Sequence, residues 1–297
     1  MLERAQSLAS DMFFLDLEDA VAASAKESAR QPVVEALVHG DWGDRIRSVR
    51  INAAGTAWAL HDLVAIVEGA GEHLDTVMLP KCSSPAHVEW LDLSLTMLEK
   101  AVGLTSGSIG IEIQIEDARG LIAVEAIAGA SSRTRALHFG PGDFSASMGM
   151  PTLSLGILTA DHPGDPLHHV FGRLLVAARA FDLQVLDGPF LGIHDIEGLV
   201  ASARRVAAMG YDGKWVLHPS QVEPVNAVFT PSQSEFDRAE DVLDAYAHAT
   251  SDAGGARGAL MLGDEMIDEA SRAMALVLTS RGRAAGLTRS AISTPPA

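Results

Sequence analysis

Short apolar runs of strand character alternate with longer amphipathic segments along the first 230 residues of the chain. The amphipathic segments are rich in alanine and repeat their apolar residues at helical spacing, most clearly over residues 121–130, 168–181 and 196–209. A helix between successive strands indicates a parallel pair, because a parallel crossover is too long for a tight turn. The pattern therefore predicts parallel βαβ units. The predicted strands are residues 12–17, 48–52, 76–80, 109–116, 135–140, 184–187 and 214–218.

The carboxyl ends of these strands decide between a doubly wound sheet and a barrel. Each strand runs into a polar or turn-forming cluster, and in a barrel all these ends open on one mouth, where barrel enzymes carry out their chemistry. No glycine-rich nucleotide loop follows an early strand in the sequence. We therefore predict an α/β fold, a (β/α)8 TIM-type barrel, over residues 1–230. Closure needs eight strands, so the seven found predict a barrel that lacks its first strand, with a helix at residues 2–8 leading into the first strand found.

The pattern changes after residue 230. Ser232 and Glu235 have the spacing of a capping box at the start of an amphipathic helix. A glycine-rich break, a β-like stretch over residues 259–267 and a final helix from Asp268 to Gly282 follow. We predict residues 231–282 to be a small C-terminal helical lid that is too small for its own core and packs on the barrel or on a neighbouring subunit. Residues 283–297 are predicted to form a flexible tail.

Composition narrows the class of protein. The chain has 22 Lys and Arg against 39 Asp and Glu, a net charge of −17, which argues against binding to nucleic acid or to an anionic membrane. With 47% hydrophobic residues it can bury a full core, and no apolar run approaches the roughly 18 residues of a membrane helix. Its single cysteine, Cys82, excludes an intrachain disulfide. A soluble cytoplasmic protein is expected.

Two carboxylates at neighbouring strand ends are candidate metal ligands. Glu116 and Asp143 come just after consecutive predicted strands, and such a pair suits a hard divalent cation, above all Mg²⁺ with several waters. Equally, Glu116 could pair with an arginine while Asp143 caps the helix that follows it. Alternation along residues 109–116 turns the isoleucines toward the helices and the polar residues toward the lumen. Glu112 then lies deeper and needs a cation or hydrogen-bond partners.

Arg50 is expected to point into the barrel lumen, because it lies between two apolar neighbours in a strand. A buried guanidinium must pair with carboxylates or bind an anionic substrate, and bridges to Glu112 or Glu18 are the structural alternative. Asp16, Glu18 and Asp19 place three acids within four residues at the end of the first predicted strand. One or two of these acids could hold waters of a bound metal.

Two other features have a structural interpretation on the sequence alone. Asp268 immediately precedes the last helix, at the position where a carboxylate commonly caps the first turn. Lys26 and Arg30 lie four residues apart on a predicted helix and form a small basic stripe, which usually faces solvent.

Eight sequence motifs, in order and spread over about residues 5 to 280, resemble those of the HpcH/HpaI aldolase/citrate lyase family, most closely its malyl-CoA/β-methylmalyl-CoA lyase branch. They are LDLEDAV (15–21), VRIN (49–52), MLPK (78–81), IE (115–116), FGPGDFSAS (139–147), LDGPF (186–190), GKWVLHPSQ (213–221) and MID (266–268).

The resemblance implies a Mg²⁺-dependent enzyme, with Mn²⁺ as a substitute, that breaks or forms a carbon–carbon bond beside an acyl-CoA thioester. Malyl-CoA would give acetyl-CoA and the small 2-oxo acid glyoxylate. By the same resemblance Glu116 and Asp143 hold the metal, Arg50 stabilises the thioester enolate, and Asp268 is the acid/base, delivered by the lid of a neighbouring subunit in a homotrimer or hexamer. The remaining implied residues are Pro141 and Gly142 in the substrate site and Asp16, Glu18, Asp19 and Lys81 as supporting groups around the metal.

The resemblance leaves other activities open. A malyl-CoA thioesterase, a citrate-lyase-like β subunit acting on a carrier-protein thioester, and a non-enzymatic binding barrel all remain alternatives. Asp117 stands where such families often carry Thr, directly after Glu116. Its extra negative charge is expected to alter the water network of the metal.

Overall fold

A computed structural model describes residues 5–151, 153 and 164–290 of the chain. Within them, a curled sheet of seven parallel strands follows chain order and forms an open half-barrel, with the number and direction of strands that the sequence predicts. The strands are β1 (Met12–Asp16), β2 (Ile46–Arg50), β3 (Thr76–Leu79), β4 (Gly110–Ile115), β5 (Thr134–Phe139), β6 (Gln184–Asp187) and β7 (Gly213–Lys214).

Helices connect successive strands and pack side by side in chain order, as expected for βαβ units. No helix in the described ranges has both the length and the apolar character needed to cross a membrane. The helices are α1 (Arg30–His39), α2 (Ala59–Ala70), α3 (Pro85–Val102), α4 (Ala118–Ile122), α5 (Val124–Ala128), α6 (Pro141–Ser147), α7 (His168–Ala180), α8 (Ile196–Met209) and α9 (Val222–Phe229). Short 3-10 helices cover Ala23–Ala25, Gly71–His73 and Pro219–Gln221.

Some predicted boundaries are wrong. The helix predicted over residues 121–130 is two short helices, α4 and α5, that bend at Ala123, where φ is −99° and ψ is 7°. The strand predicted over 214–218 ends after two residues. Its backbone leaves the sheet because the Leu217 N–H donates to the side chain of Gln221 at 2.8 Å and His218 caps the 3-10 helix that follows. The helix predicted at residues 2–8 begins outside the described residues.

Alternation along the strands gives the sheet an inner, concave face that is partly polar. On β4 the side chains of Glu112 and Gln114 lie on this face and are 3% exposed, while the isoleucines on the opposite face are fully buried. Phe14 of β1 and Trp215, directly after β7, meet across the inner face with ring centroids 4.5 Å apart. The first and last strands of the sheet therefore share one interior space.

The described residues from 226 to 290 form a second compact unit. It contains α10 (Gln233–Thr250), a hairpin of β8 (Leu260–Leu262) and β9 (Glu265–Ile267), and α11 (Glu269–Ala284). Ser232 and Glu235 form the predicted capping box. The β-like stretch is a hairpin because Gly263 turns the chain with a φ of +64°.

The second unit differs from the sequence prediction in two further respects. It has a small apolar cluster of its own, centred on Ala239, Val242 and Ile267. The final helix also runs to Ala284, two residues into the predicted tail, and Arg289 then pairs with two carboxylates of α10. Residues 291–297 of that tail lie outside the described residues, and the predicted division at residue 230 stays a prediction.

A glycine fixes the approach of two strand-end loops in the first unit. A Cβ on Gly188 would lie 2.2 Å from Cδ of Pro141 and 2.5 Å from the carbonyl oxygen of Phe139. The backbone oxygen cannot move aside cheaply, because Phe139 is a fully buried strand residue. The loop after β6 can therefore contact the start of α6 only if residue 188 has no side chain.

We expect Gly188→Ala to destabilise the protein by about 1–3 kcal/mol, since the added methyl group overpacks this contact. Denaturant unfolding followed by circular dichroism measures the change. Gly172→Ala is the matched control: Gly172 lies inside α7 with no atom within 4 Å of its Cβ position. Helix propensity alone predicts a gain of about 0.5–1 kcal/mol there. Equal stabilities for the two variants would contradict the packing argument.

Candidate active site

Seven charged residues gather at the carboxyl ends of the first five strands, where a parallel sheet brings successive strand ends to one edge. Asp16 and Arg50 end β1 and β2, and Asp143 lies in the first turn of α6 after β5. We call the group the rim cluster. Its members are Asp16, Glu18, Asp19, Arg50, Lys81, Glu116 and Asp143, all of them predicted site residues.

Arg50 is held in the buried part of the rim cluster by a two-pronged ion pair. Its Nε and Nη2 atoms donate to the two carboxylate oxygens of Asp16 at 2.8 and 2.6 Å, and its side chain is 9% exposed. Burial alone would raise the pKa of Asp16, but the bonds from Arg50 and from two backbone N–H groups outweigh it and lower that pKa. A carboxylate is therefore always present opposite the guanidinium at neutral pH.

The partners of Arg50 differ from those proposed from the sequence. Glu18 lies 3.6 Å from its Nη1 atom, so this bridge exists but is the longer one. A bridge to Glu112 is wrong, because that carboxylate binds His138 and accepts the hydroxyl of Thr76 at 2.9 Å. The partners that Glu112 needs are thus His138 and Thr76, which lie deeper on the inner face.

Glu116 is buried, 1% exposed, and both of its oxygens accept hydrogen bonds. The backbone N–H of Lys81 donates to one oxygen at 2.6 Å, and the amide of Gln114 donates to the other at 2.5 Å. Gly140 allows this packing, since a Cβ there would lie 2.5 Å from the carboxylate. Burial raises the pKa of Glu116 to about 8, and the nearby charges of Asp143 and Glu18 add to the rise.

Lys81 connects the carboxylates on the exposed side of the rim cluster. Its Nζ atom binds Glu18, lies 3.0 Å from Asp19 and 3.9 Å from Asp143. Burial opposes the charge, but the hydrogen bonds to Glu18 and Asp19 outweigh it and raise the pKa of the ammonium group. The backbone of Lys81 has a φ of +50°, the left-handed region that costs a non-glycine residue about 1–2 kcal/mol.

Glu116 and Asp143 fit a hard divalent cation. The two side chains are close enough for the charge of Asp143 to raise the pKa of Glu116. Mg²⁺ is usually bound by one or two carboxylates, with water and substrate oxygens as the remaining ligands. Among the described residues, the two oxygens of Glu116 accept from Lys81 and Gln114, and no side-chain hydrogen bond caps α6. In the part of the chain that the structure describes, no group of three His, Cys, Asp or Glu side chains could hold a metal.

Asp268 lies in the second unit and caps α11. Its Oδ1 atom accepts from the backbone N–H of Ser271 at 3.1 Å, and the Ser271 hydroxyl accepts from the backbone of Asp268 at 3.3 Å. Asp117 has a similar role in the first unit, because its Oδ1 atom accepts from the Gly120 N–H at 2.6 Å and caps α4. The charge of Asp117 is thereby directed at a helix terminus.

Several functional neighbours were missed from the sequence. Gln114 joins Arg50 to Glu116, accepting from the guanidinium at 3.3 Å while donating to the carboxylate, and its place between Glu112 and Glu116 on the same face of the chain was the available signal. Lys26 is buried rather than solvated, and its Nζ donates to the carbonyls of Leu17 and Glu18 at 3.0 and 2.7 Å. It thereby fixes the loop that carries the acids after β1.

Arg30 also differs from the sequence prediction, and an ion pair holds the loop after β6. Arg30 pairs with the buried carboxylate of Asp62 at 2.8 Å, so the predicted basic stripe does not exist. Asp187, at the end of β6, forms a buried ion pair with Lys214 on the neighbouring strand. The Lys214 ammonium also donates to the carbonyl of Gly188 at 2.8 Å, so this pair holds the loop that contacts Pro141.

A curled parallel sheet with charged side chains gathered at the carboxyl ends of its strands is typical of α/β barrel enzymes. A model of the HpcH/HpaI aldolase/citrate lyase family matches residues 1–219 of the chain. The chain is 38% identical to an L-malyl-CoA/beta-methylmalyl-CoA lyase of Cereibacter sphaeroides, over 94% of this chain and 89% of that protein.

Two further similarities agree. A malyl-CoA/beta-methylmalyl-CoA/citramalyl-CoA lyase of Chloroflexus aurantiacus is 32% identical over 92% of this chain and 81% of its own length. The crystal structure of protein CitE from Mycobacterium tuberculosis, in complex with magnesium, acetoacetate and coenzyme A, matches with a TM-score of 0.70 at 30% identity. That match covers 93% of this chain and 91% of the CitE chain.

The chain belongs to the HpcH/HpaI aldolase/citrate lyase family. Membership confirms the resemblance found in its motifs and the prediction of a carbon–carbon lyase. The roles of individual residues at the rim cluster stay predictions.

Cys82, next to Lys81, offers a simple test of how closed this region is. It is fully buried, and burial raises the pKa of its thiol to about 12. At pH 8 only about one thiol in ten thousand is then ionised, and the thiolate is the reactive form. We expect the native protein to resist Ellman's reagent for hours, while protein unfolded in urea releases one equivalent of thiolate at once. Rapid labelling of the native protein would contradict the closed packing.

Proposed function

We propose that this chain is a Mg²⁺-dependent lyase of 3-hydroxyacyl-CoA thioesters. It cleaves malyl-CoA to acetyl-CoA and glyoxylate, or forms malyl-CoA from these two compounds. The observation that carries the proposal is the link from Arg50 through Gln114 to Glu116, which sets a buried guanidinium beside the carboxylate pair formed with Asp143. The malyl-CoA lyases among the relatives support the substrate class. The magnesium and coenzyme A bound to CitE support the metal and the thioester.

The metal-binding part of the proposal assigns Glu116 and Asp143 as ligands. When bound, Mg²⁺ supplies Lewis-acid polarisation of the oxygen on the 2-oxo acid half of the substrate. Mn²⁺ takes the same kind of oxygen ligand and is proposed as a substitute. Asp19 and Lys81 would orient the waters and the carboxylates around this position, since the Lys81 ammonium contacts both Asp19 and Asp143.

Arg50 is proposed to stabilise the enolate. In the cleavage direction the hydroxyl gives its proton to solvent water, the bond between the hydroxyl-bearing carbon and the thioester α-carbon breaks, and the electron pair passes to the thioester as an enolate that then takes up a proton at carbon. Asp16 and Gln114 use three of the five guanidinium N–H donors, and Glu18 lies 3.6 Å from Nη1, which leaves at least one N–H for the enolate oxygen. A donor fixed in advance inside a buried site needs little reorganisation when charge develops.

Asp268 is proposed to give the enolate carbon its proton, or to remove that proton in the condensation direction. The lid of residues 231–282 would deliver it to a neighbouring subunit in a homotrimer or hexamer. Pro141 and Gly142, which begin α6, are proposed to line the substrate site. A (β/α)8 TIM-type barrel that lacks its first strand belongs to the same proposal, supported by the contact between Phe14 and Trp215 that joins the first and last strands of the sheet.

The reaction is tested by incubating the purified protein with malyl-CoA and Mg²⁺. We expect glyoxylate and acetyl-CoA in equal amounts and no free malate, whereas malate and CoA without glyoxylate would identify a thioesterase instead. Glu116→Gln and Asp143→Asn should each lower kcat by at least about a hundredfold, because each removes a charged metal ligand. Isothermal titration with Mg²⁺ should show weaker binding in both variants. Glu125→Gln, an exposed carboxylate paired with Arg173, is the control and should bind and turn over normally.

The role of Asp268 can be separated from its helix cap. Asp268→Asn keeps a capping oxygen but cannot transfer a proton, so we expect a normal melting temperature, an almost unchanged KM and a kcat reduced by about a hundredfold or more. Asp268→Ala also loses the cap, worth about 1 kcal/mol in unfolding experiments. Full turnover by the asparagine variant would show that this residue has a purely structural role.

A further inference from the structure

Trp215 lies against Arg50 although neither the motifs nor the rim cluster assign it a role. It is 8% exposed, and its ring centroid lies 5.6 Å from the guanidinium carbon of Arg50. Phe14 lies at the same distance, 5.6 Å, and its ring is tilted by 45° against the indole. Two aromatic rings therefore bound the guanidinium, while Asp16 and Gln114 bind its nitrogen atoms.

A buried histidine fixes the orientation of the Trp215 indole. The indole N–H donates to the Nδ1 atom of His138 at 2.7 Å, and His138 is fully buried. Because an indole nitrogen can only donate, Nδ1 must be the accepting nitrogen of the imidazole. The Nε2 atom then carries the proton and donates to Glu112, which also accepts the hydroxyl of Thr76. The chain of contacts runs from Thr76 on β3 to Arg50 on β2.

We propose that Trp215, oriented by His138, is a positioning residue for Arg50. The ion pair with Asp16 fixes one edge of the guanidinium, and the longer bond to Gln114, 3.3 Å, restrains the Nη1 end less tightly. The Trp215 ring, with its centroid 5.6 Å from the guanidinium carbon, limits tilting about the fixed edge. The N–H groups that Asp16 and Gln114 leave over then keep their direction. The inference rests on the proposed function, since their direction matters only if Arg50 binds the enolate. Small misplacements of such a donor are costly in rate.

Three variants separate the contacts. Trp215→Phe keeps a ring against the guanidinium but loses the N–H that fixes the ring orientation. His138→Gln places an amide near the Nε2 position and loses the acceptor for the indole, whereas His138→Asn keeps an acceptor near the Nδ1 position. We expect kcat to fall about tenfold or more in W215F and H138Q with KM within about twofold of wild type, and H138N to recover most of the loss.

Trp42→Phe is the matched control. Trp42 is also buried, 3% exposed, and its indole N–H donates to the Ala36 carbonyl at 2.8 Å, so the same type of bond is lost at a similar depth. Trp42 stacks against Phe13 rather than against Arg50. W42F should lose stability in thermal unfolding and keep its kcat. An equal fall of kcat in W42F and W215F would show that stability, rather than positioning, is responsible.

A readout that does not depend on activity completes the test. The Nε–H signal of Arg50 in ¹⁵N-labelled protein, assigned by its loss in R50K, reports opening of the bond to Asp16. We expect its exchange with solvent to be about tenfold faster in W215F and H138Q than in wild type, and near wild type in H138N and W42F. Unchanged exchange and unchanged kcat in W215F would overturn the proposal. Absence of lyase activity in the wild type, with the exchange pattern as expected, would instead overturn the proposed function alone.

Discussion

A buried guanidinium needs a carboxylate, and this requirement shapes the site. Arg50 ends β2 with little access to water, and leaving such a charge unpaired inside a protein costs several kcal/mol. Asp16 provides the partner because the parallel register sets it directly beside Arg50 on the neighbouring strand. The loop that begins at Asp16 must then hold its position, and Lys26 fixes it by donating to the carbonyls of Leu17 and Glu18. One ion pair thus determines where the other acids after β1 can lie.

The rim cluster has more acidic than basic side chains, and this imbalance favours the binding of a further cation. The rim cluster holds five carboxylates and two cations, and Lys26 beneath it adds a third cation. Burial raises the pKa of Glu116 and of Glu18, so these acids sit where a negative charge is poorly solvated. A divalent ion next to Glu116 would relieve that penalty, and the oxygen ligands suit Mg²⁺. The acidity of the whole chain, with a net charge of −17, does not produce this effect, which comes from five side chains gathered at one edge.

The alternation of polar and apolar residues was sufficient to predict which way side chains point. It was insufficient to predict which residues they contact. Alternation in β4 and around Arg50 correctly indicated an inward polar face, because a strand has a fixed period of two. The partner of Arg50 depends on strand register, which sets Asp16 beside it and likewise pairs Asp187 with Lys214. Register is a property of two strands together, so neither strand shows it alone.

Local departures from regular structure were equally invisible in the sequence. Lys26 was placed on a solvated helix face by its spacing to Arg30. The chain there forms a 3-10 turn, Ala23–Ala25, ahead of α1, and the side chain turns inward. By contrast, the caps at Ser232 and Asp268 could be predicted, since each depends on residues only three positions apart. These two caps were predictable because each lies within one turn, whereas the strand-to-strand partners of Arg50 and Asp187 were not.

The backbone of Lys81 carries a further argument about what the rim cluster is for. A glycine would adopt its left-handed conformation without strain, yet the chain has a lysine there. That conformation directs the backbone N–H to Glu116 while the side chain extends to Glu18, Asp19 and Asp143. Only a residue with a long cationic side chain can make the backbone contact to Glu116 and the side-chain contacts to the other carboxylates at the same time. Strain of this kind persists where the surrounding contacts over-determine it, and such places cluster at functional sites. At Lys81, therefore, the arrangement of carboxylates outweighs the local preference of the backbone.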